Sequence, residues 1–372
     1  MDPHLTYLKF AFNNTSGAQA YQLDGSAHSF IKRLRVTSKS GGFDLENINE
    51  YGNLYNMLAD IQLGTAYRMG AGAIAEGFGV DNDSKDPCHV ESAIANGSTQ
   101  HYCIPIMSSI IGQMNNKYLP LFLTGDIQLE IELHARPFIN TTGPNASPWT
   151  VNGVELHTQY IEFSSEVNNT LRAIASTSGL YIHATTWKYF PAVCTGTQNN
   201  NFLINERLRS VKSLLFGFRS NIANNGNILR NFGRGTNLLK DYQLKVGQTL
   251  YPTQAIRASD VGDYSEFITE TMKSVGCYAN SHNAGVITPT NYITNTLAVI
   301  GAVLTPGRAV FGLDLDAFTK QNIESGVNTI LDNPLTLMTT HTGPEVALNC
   351  DIYLLHDIIL VLQSNGEFLV SK

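Results

Sequence analysis

Short apolar runs with a period of two dominate the chain. Ile127, Leu129, Ile131 and Leu133 alternate with Gln128, Glu130, Glu132 and His134, which on an extended backbone sends one set to each face and predicts a half-buried strand. Similar runs over Leu8 to Phe12, Ser29 to Thr37, Val154 to Phe163, Leu180 to Tyr189, Arg207 to Phe218, Ala309 to Leu315 and Ile352 to Leu362 predict further strands, separated by clusters of Gly, Asn and Pro. That spacing belongs to sandwiches or barrels rather than to alternating βα units. In the last run, YLLHDIILVLQSNGEFLV, apolar residues fill both faces and Asn365-Gly366 predicts a type I′ hairpin turn. His356 and Asp357 are adjacent there, and neighbours on an extended chain point to opposite faces, which argues for a strand and against a proton-relay pair.

Two segments carry a helical period. In DLENINEYGNLYNMLADIQ, Asp44 is a plausible N-cap, and Leu45, Ile48, Tyr51, Tyr55, Leu58 and Ile61 share a face. In SDVGDYSEFITETMKSVG, Ser259 is the cap, Val261, Tyr264, Phe267, Ile268 and Val275 form the face, and Gly276 is the stop. A third, shorter helix is expected over Ala317 to Glu324.

The order of events repeats. FIKRLRVTSKS leads to a capped helix, a polar loop and SSIIGQMNNKYLPLFLTGDIQLEIEL; NERLRSVKSLL leads to an Asn- and Gly-rich loop, a capped helix and the closing strands. The pattern predicts two β domains, 1–177 and 178–372, with the boundary at Ser176 to Gly179. A chain of 372 residues also exceeds what one compact core usually holds.

Composition changes this picture in one respect. Charged residues make up only 15% of the chain against 43% hydrophobic ones, so Asn, Thr and Ser must cover the surface, and these favour turns and strand edges. The net charge is -7, and the 24 Lys and Arg are scattered. The basic spots Lys32-Arg33-Leu34-Arg35 and Arg207-Leu208-Arg209 read as exposed strand positions, not as the clustered cations that phosphate-tracking surfaces need, so direct nucleic-acid binding is not expected. Five widely spaced cysteines without a CxxC pair suit free thiols better than a disulfide framework. No secretory leader is visible at the N-terminus, the longest apolar run, Leu297 to Leu304, is far too short to span a bilayer, and a soluble protein is expected.

Candidate chemistry is sparse. Cys88, His89, His101 and Cys103 in CHVESAIANGSTQHYC are a weak zinc set, because structural sites space the ligands of each pair by two or more residues. A Cys88 to Cys103 disulfide and a polar surface loop are the other readings. GAGAIA, Gly70 to Ala75, matches a dinucleotide fingerprint in letters but lacks the strand that must feed it, and reads as a loop. DNDSKD, with Asp81, Asp83 and Asp86, lacks the glycine and closing Glu of a calcium loop. Asp314 and Asp316 stand two apart on an expected strand, sharing a face. No nucleophile motif is present, and neither catalysis nor a cofactor is expected.

Taken together, FDLENINEYGNLYNMLADIQ, KYLPLFLTGDIQLEIELHARPF, VNGVELHTQYIEF, SGVNT and DIILVLQSNGEFLV, arranged as two successive β units, resemble the double jelly-roll major capsid proteins of icosahedral viruses. The resemblance implies an all-β fold of two consecutive eight-stranded jelly rolls with a few short inserted helices, three chains forming a pseudo-hexagonal capsomer, and a place in the virion shell. Its partners would be two further copies, neighbouring capsomers, penton and minor capsid proteins, and an internal membrane where the virus has one. The segments Gly64 to Tyr102 and Ser220 to Thr253 would be its tower or intercapsomer loops. Family members often begin with an arm facing the capsid interior, whereas this chain enters a strand pattern within ten residues. The alternatives are a carbohydrate-binding or fibre protein of two β-sandwiches, and an all-β hydrolase.

Overall fold

The structure is a computed structural model that describes the chain apart from residues 16, 18–19, 24, 40–41, 79–93, 115–116, 136–137, 141–148, 195–196, 221–231, 259–262, 279–284, 293–306, 318–324, 331–333, 344–347 and 372. The first half supplies β1 (Asp2–Asn14), β2 (Tyr21–Leu23), β3 (Ile31–Ser38), β4 (Phe43–Asn49), helices α1 (Tyr51–Gln62), α2 (Thr65–Met69) and α3 (Ala71–Ala75), then β5 (Thr99–Pro105), β6 (Ile127–Leu133), β7 (Phe138–Asn140) and β8 (Trp149–Gln159). Helix α4 (Ser165–Thr177) leads into the second half. That half holds β9 (Leu180–Val193), β10 (Asn199–Ile204), β11 (Val211–Ser220), β12 (Arg234–Gly235), β13 (Leu239–Val246), β14 (Thr249–Arg257), α5 (Ser265–Ser274), α6 (Pro289–Tyr292), β15 (Phe311–Asp314), β16 (Leu335–His341), β17 (Leu348–Leu362) and β18 (Phe368–Ser371).

All named strand pairs are antiparallel. The first half forms the sheets β5-β1-β8, β4-β3-β6 and β2-β7; the second forms β10-β16-β13-β14 and a sheet ordered β12-β11-β17-β18, to which β15 adds on β11 and β9 on β17. The period of two decides which face is buried: along β3, Ile31, Leu34, Val36 and Ser38 go inward, while Lys32, Arg33 and Arg35 stay at least partly exposed. Those cations meet Glu130, Glu132 and Asp44 on the flanking strands, a ladder of ion pairs that uses the basic spot within the fold. Arg207 to Arg209 differs from the expected strand position, lying just ahead of β11 with Leu208 buried.

Two aromatic-rich cores result. Phe10, Phe12, Phe30 and Tyr102 centre the first; Phe216, Phe218, Tyr242, Phe267 and Phe311 centre the second. β17 belongs to both. Its Cys350, Ile352 and Leu354 enter the second core, and its Tyr353, Ile358, Leu360 and Leu362 enter the first, which explains why apolar residues fill both of its faces.

Several expected elements differ. Residues 43–49 pair with β3 as a strand, so Leu45 and Ile48 belong to β4, and the helix begins only at Tyr51. The spacing of Leu45, Ile48 and Tyr51 is helical; in the strand a bulge at Leu45, between the pairs Val36–Glu46 and Thr37–Asp44, lets both Leu45 and Ile48 face inward. Gly70 to Ala75 is not a loop: Gly70 joins α2 to α3, and Ala71–Ala75 is α3, in which Gly72 is needed for packing, since a Cβ there would stand 2.9 Å from the Tyr67 ring. Residues 220–253 are not one long loop but include β13 and most of β14. Helix α4, capped by the Ser164 hydroxyl on the Val167 N–H, lies where no helix was expected. The closing turn holds only Gly366 at positive φ (81°), with its N–H on the Gln363 carbonyl at 3.0 Å. That is the geometry of a three-residue loop with a glycine bulge, not of a type I′ turn, which needs two residues at positive φ. Helix α5 starts at Ser265, and Gly276 (φ 72°) does follow its end. Ser259, Val261, most of 317–324 and DNDSKD lie outside the described residues.

Helix α1 packs against the turn Ala27–Phe30 so closely that a Cβ on Gly52 would stand 2.8 Å from the His28 carbonyl oxygen and 3.1 Å from Ser29 Cα. Helix propensity favours alanine over glycine by about 1 kcal/mol, whereas overpacking costs roughly 1 to 3 kcal/mol. Gly52→Ala is therefore expected to lower stability in urea unfolding despite the better helix former; a stabilised variant would contradict this packing.

Candidate functional site: a buried charge junction

The strongest concentration of buried polar chemistry lies where α1 meets the second half. Asp60, near the C-terminal end of α1, accepts hydrogen bonds from three buried guanidinium groups. Arg68 of α2 donates Nη2–H to Oδ1 at 2.9 Å, Arg308 donates Nη1–H to Oδ1 at 2.5 Å, and Arg234 of β12 donates Nη2–H to Oδ2. Two of these arginines come from the second half, so one carboxylate ties the halves together. The Arg68 guanidinium also lies 4.9 Å from the Phe78 ring centroid. Arg234 spends its remaining donors on the Phe232 and Ala309 carbonyls. Burial and the neighbouring Arg308 lower the Arg68 pKa, against the pull of Asp60.

A second tie begins at Glu50, which joins β4 to α1 in the left-handed region at φ 48°. Its side chain meets Arg219 of β11 at 3.2 Å, and its carbonyl accepts the Tyr353 hydroxyl at 3.0 Å. Arg219 grips Asp351 of β17 through Nε at 2.7 Å and Nη2 at 3.1 Å, a two-point pairing that fixes orientation as well as charge. Tyr189 and Asn53 complete the Asp351 shell at 2.8 and 3.2 Å. Burial alone would lower the Arg219 pKa, but Asp351 and Glu50 outweigh it and hold the group charged. Glu46 makes a third tie, accepting from Thr186 of β9 at 2.6 Å, from the Ser109 N–H and hydroxyl, and from the Ser108 hydroxyl.

Beside them lies a pair within the first half, His28 and Glu76, 3.2 Å apart and fully buried. Burial lowers the His28 pKa, and Tyr55 stacks on the ring at a centroid distance of 3.4 Å. The neutral ring fits its partners: Nε2–H donates to Glu76, while Nδ1 accepts from the Tyr51 hydroxyl, which itself accepts the Met107 N–H at 2.9 Å. Burial raises Glu76, but the donors His28, Tyr55 and Tyr67 outweigh it and hold the carboxyl below its ordinary range.

These groups interlock as donors and acceptors. None forms the nucleophile, base and orienting group in series that covalent catalysis requires. The residues singled out in the sequence sit elsewhere. His101 and Cys103 share the outer face of β5, opposite Ala11 and Lys9, while Cys88 and His89 lie outside the described residues. Among the described residues no group of three or more His, Cys, Asp and Glu is placed to hold a metal ion. Asp314 ends β15 and Asp316 lies beyond it, so they do not share a strand face; Asp314 accepts the Asp316 N–H at 3.0 Å and Ser325 donates to Asp316. Asp357 is held by Ser210 at 2.7 Å and Lys212 at 3.0 Å, and His356 Nδ1 lies 3.1 Å from the Asp357 carbonyl oxygen rather than on its carboxylate. The junction residues escaped the sequence reading because their partners are 174 and 248 residues away from Asp60. The one local signal was an aspartate inside an apolar helical stretch, MLADIQ.

No family model and no curated protein matches the chain at significant similarity. Solved structures do match its fold over nearly its full length. VP54 of PBCV-1, fitted into a reconstruction of the virophage Sputnik, aligns with a TM-score of 0.61 at 12% identity, covering 98% of this chain and 89% of that one. The fold is a double jelly roll. A chain of the Sputnik virophage structure aligns at 0.58 with 13% identity, covering 100% of this chain and 82% of that one. The Faustovirus major capsid protein aligns at 0.54 with 10% identity, covering 96% and 78%. Within this double jelly roll the charge junction lies between the rolls, and α1 is the strut that carries it.

Two outcomes follow. Asp60→Asn leaves three buried guanidinium groups facing one another and is expected to destabilise by about 3 to 5 kcal/mol in chemical unfolding, the usual cost of breaking a buried pair; a change below about 1 kcal/mol would contradict the junction's role. Because the folded His28 refuses a proton that the unfolded chain accepts, stability should fall as pH drops below about 6.5. Glu76 adds a further loss once the unfolded carboxyl begins to protonate near its ordinary 4.5. The melting temperature should drop between about pH 7.5 and about pH 5.5, and drop less in His28→Gln; equal drops would remove His28 from the account.

Proposed function

We propose that the chain is a structural shell protein, the major capsid protein of an icosahedral virus, which associates as homotrimers of pseudo-hexagonal outline and is located in the virion. The observation that carries this reading is the likeness of the fold, across both rolls, to VP54, to the Sputnik chain and to the Faustovirus major capsid protein. The division into two units, 1–177 and 178–372, the contacts with neighbouring capsomers, pentons and minor capsid proteins, and the absence of enzymatic activity are parts of the same proposal. The chemistry of the junction supports it, since its buried charges are spent on one another rather than presented to a substrate.

Light scattering on the purified chain tests the proposal. The expected mass is three times that of the chain, and electron images of the same peak should show hexagonal outlines. A monomer at micromolar concentration would count against it, because permanent capsomers bury roughly 2,000 to 5,000 Å² or more.

A further inference from the structure

One flank of the first roll is built to be covered. β8 pairs only with β1 among the described residues, so its other edge is free along 11 residues. It carries neither Lys nor Pro; its guards are bulges in the pairing with β1 and the single charge of Glu155, and beside them it exposes Val154 and Leu156. Tyr160, at 68% exposure, continues the apolar surface past the strand, and Phe163 meets Tyr118 edge-on at 6.1 Å. Helix α4 then buries only Ala175 of its 13 residues, leaving Val167 and Ile174 exposed on the stripe they share with Leu171. Glu162 and Glu166, in the middle of this surface, have no ion-pair partner among the described residues.

A complementary surface exists on the second roll. β14 is the outer strand of its sheet, and Leu250 stands in register with Lys245 on the outward face. The side chains of Lys240, Lys245 and Arg257 make no ion pair among the described residues; Asp241 stands opposite Arg257 in the ladder and Glu266 accepts the Arg257 N–H at 2.9 Å, which leaves three cations against these two acids. Each surface thus offers exposed apolar side chains, Leu250 and Tyr251 on the second, and an excess of charge, of opposite sign.

We propose that the β8 and α4 flank of one copy packs on the β13 and β14 face of the next, with Glu162 and Glu166 set against Lys245 and Arg257. The occupant is a second copy of this chain. A contact between two different surfaces of identical chains runs head to tail and closes into a ring when the rotation allows. The inference rests on the trimeric shell reading and adds the faces that build the ring.

Charge reversal tests it. The variant Glu162→Lys with Glu166→Lys is expected to raise the concentration of half-dissociation by at least about tenfold, because like charges face each other across the contact. Adding Lys245→Glu and Arg257→Glu in the same chain should restore the ring. All four side chains lie at the surface, so the fold is retained, and circular dichroism checks this. As a charge-independent second arm, Tyr160→Ser should weaken the ring as well. A wild-type trimer that neither reversal nor Tyr160→Ser weakens, or a loss that the second reversal does not repair, would overturn the proposed faces while leaving the trimer intact. A monomeric wild type would instead overturn the shell reading itself.

Discussion

The structure depends on a single carboxylate shared by three arginines. Asp60 lies on α1, in the first roll, and two of its guanidinium partners arrive from the second. Removing ions from water is expensive, and attraction in the interior repays it only where geometry is good and every donor is used. Here the arginines finish on backbone carbonyls, on an aromatic face and on Asp60. Apolar contact alone specifies a register loosely, whereas this arrangement is satisfied in one register only. Glu50 and Asp351 around Arg219, and Glu46 around Thr186, impose the same register at two further points.

The shared strand explains why such a register matters. β17 feeds both cores, so any sliding of one roll against the other would strip apolar side chains from one of them. Rigid rolls in fixed register present fixed outer surfaces, which the proposed shell role requires. The low charge content fits that need. Cations on β3 are consumed by carboxylates on the flanking strands, whereas the β8 and α4 flank and the β13 and β14 face keep charged side chains without an ion-pair partner among the described residues.

Much of the fold was legible in the sequence, because the period of two survives wherever a strand has one wet face: β1, β3, β6 and β9 fall where the alternation puts them, and β17 where its apolar run does. The spacing misleads where a bulge breaks the period of two. Leu45, Ile48, Tyr51 and Tyr55 satisfy a helix, yet Ile48 pairs with Leu34 of β3, Leu45 is the extra residue of a bulge in the same strand, and only the left-handed Glu50 marks the change. β13 alternates cleanly but was hidden in a stretch rich in Asn and Gly. Helix α4 was missed since it has hardly any buried face. The charge junction was not legible at all, because nothing local records that Asp60 will meet arginines far along the chain.

Calorimetry on the intact chain tests most directly whether the junction makes the two rolls one body. The account predicts a single transition whose van't Hoff and calorimetric enthalpies agree. Two separate transitions, one for each roll, would show that the rolls unfold independently and would contradict it.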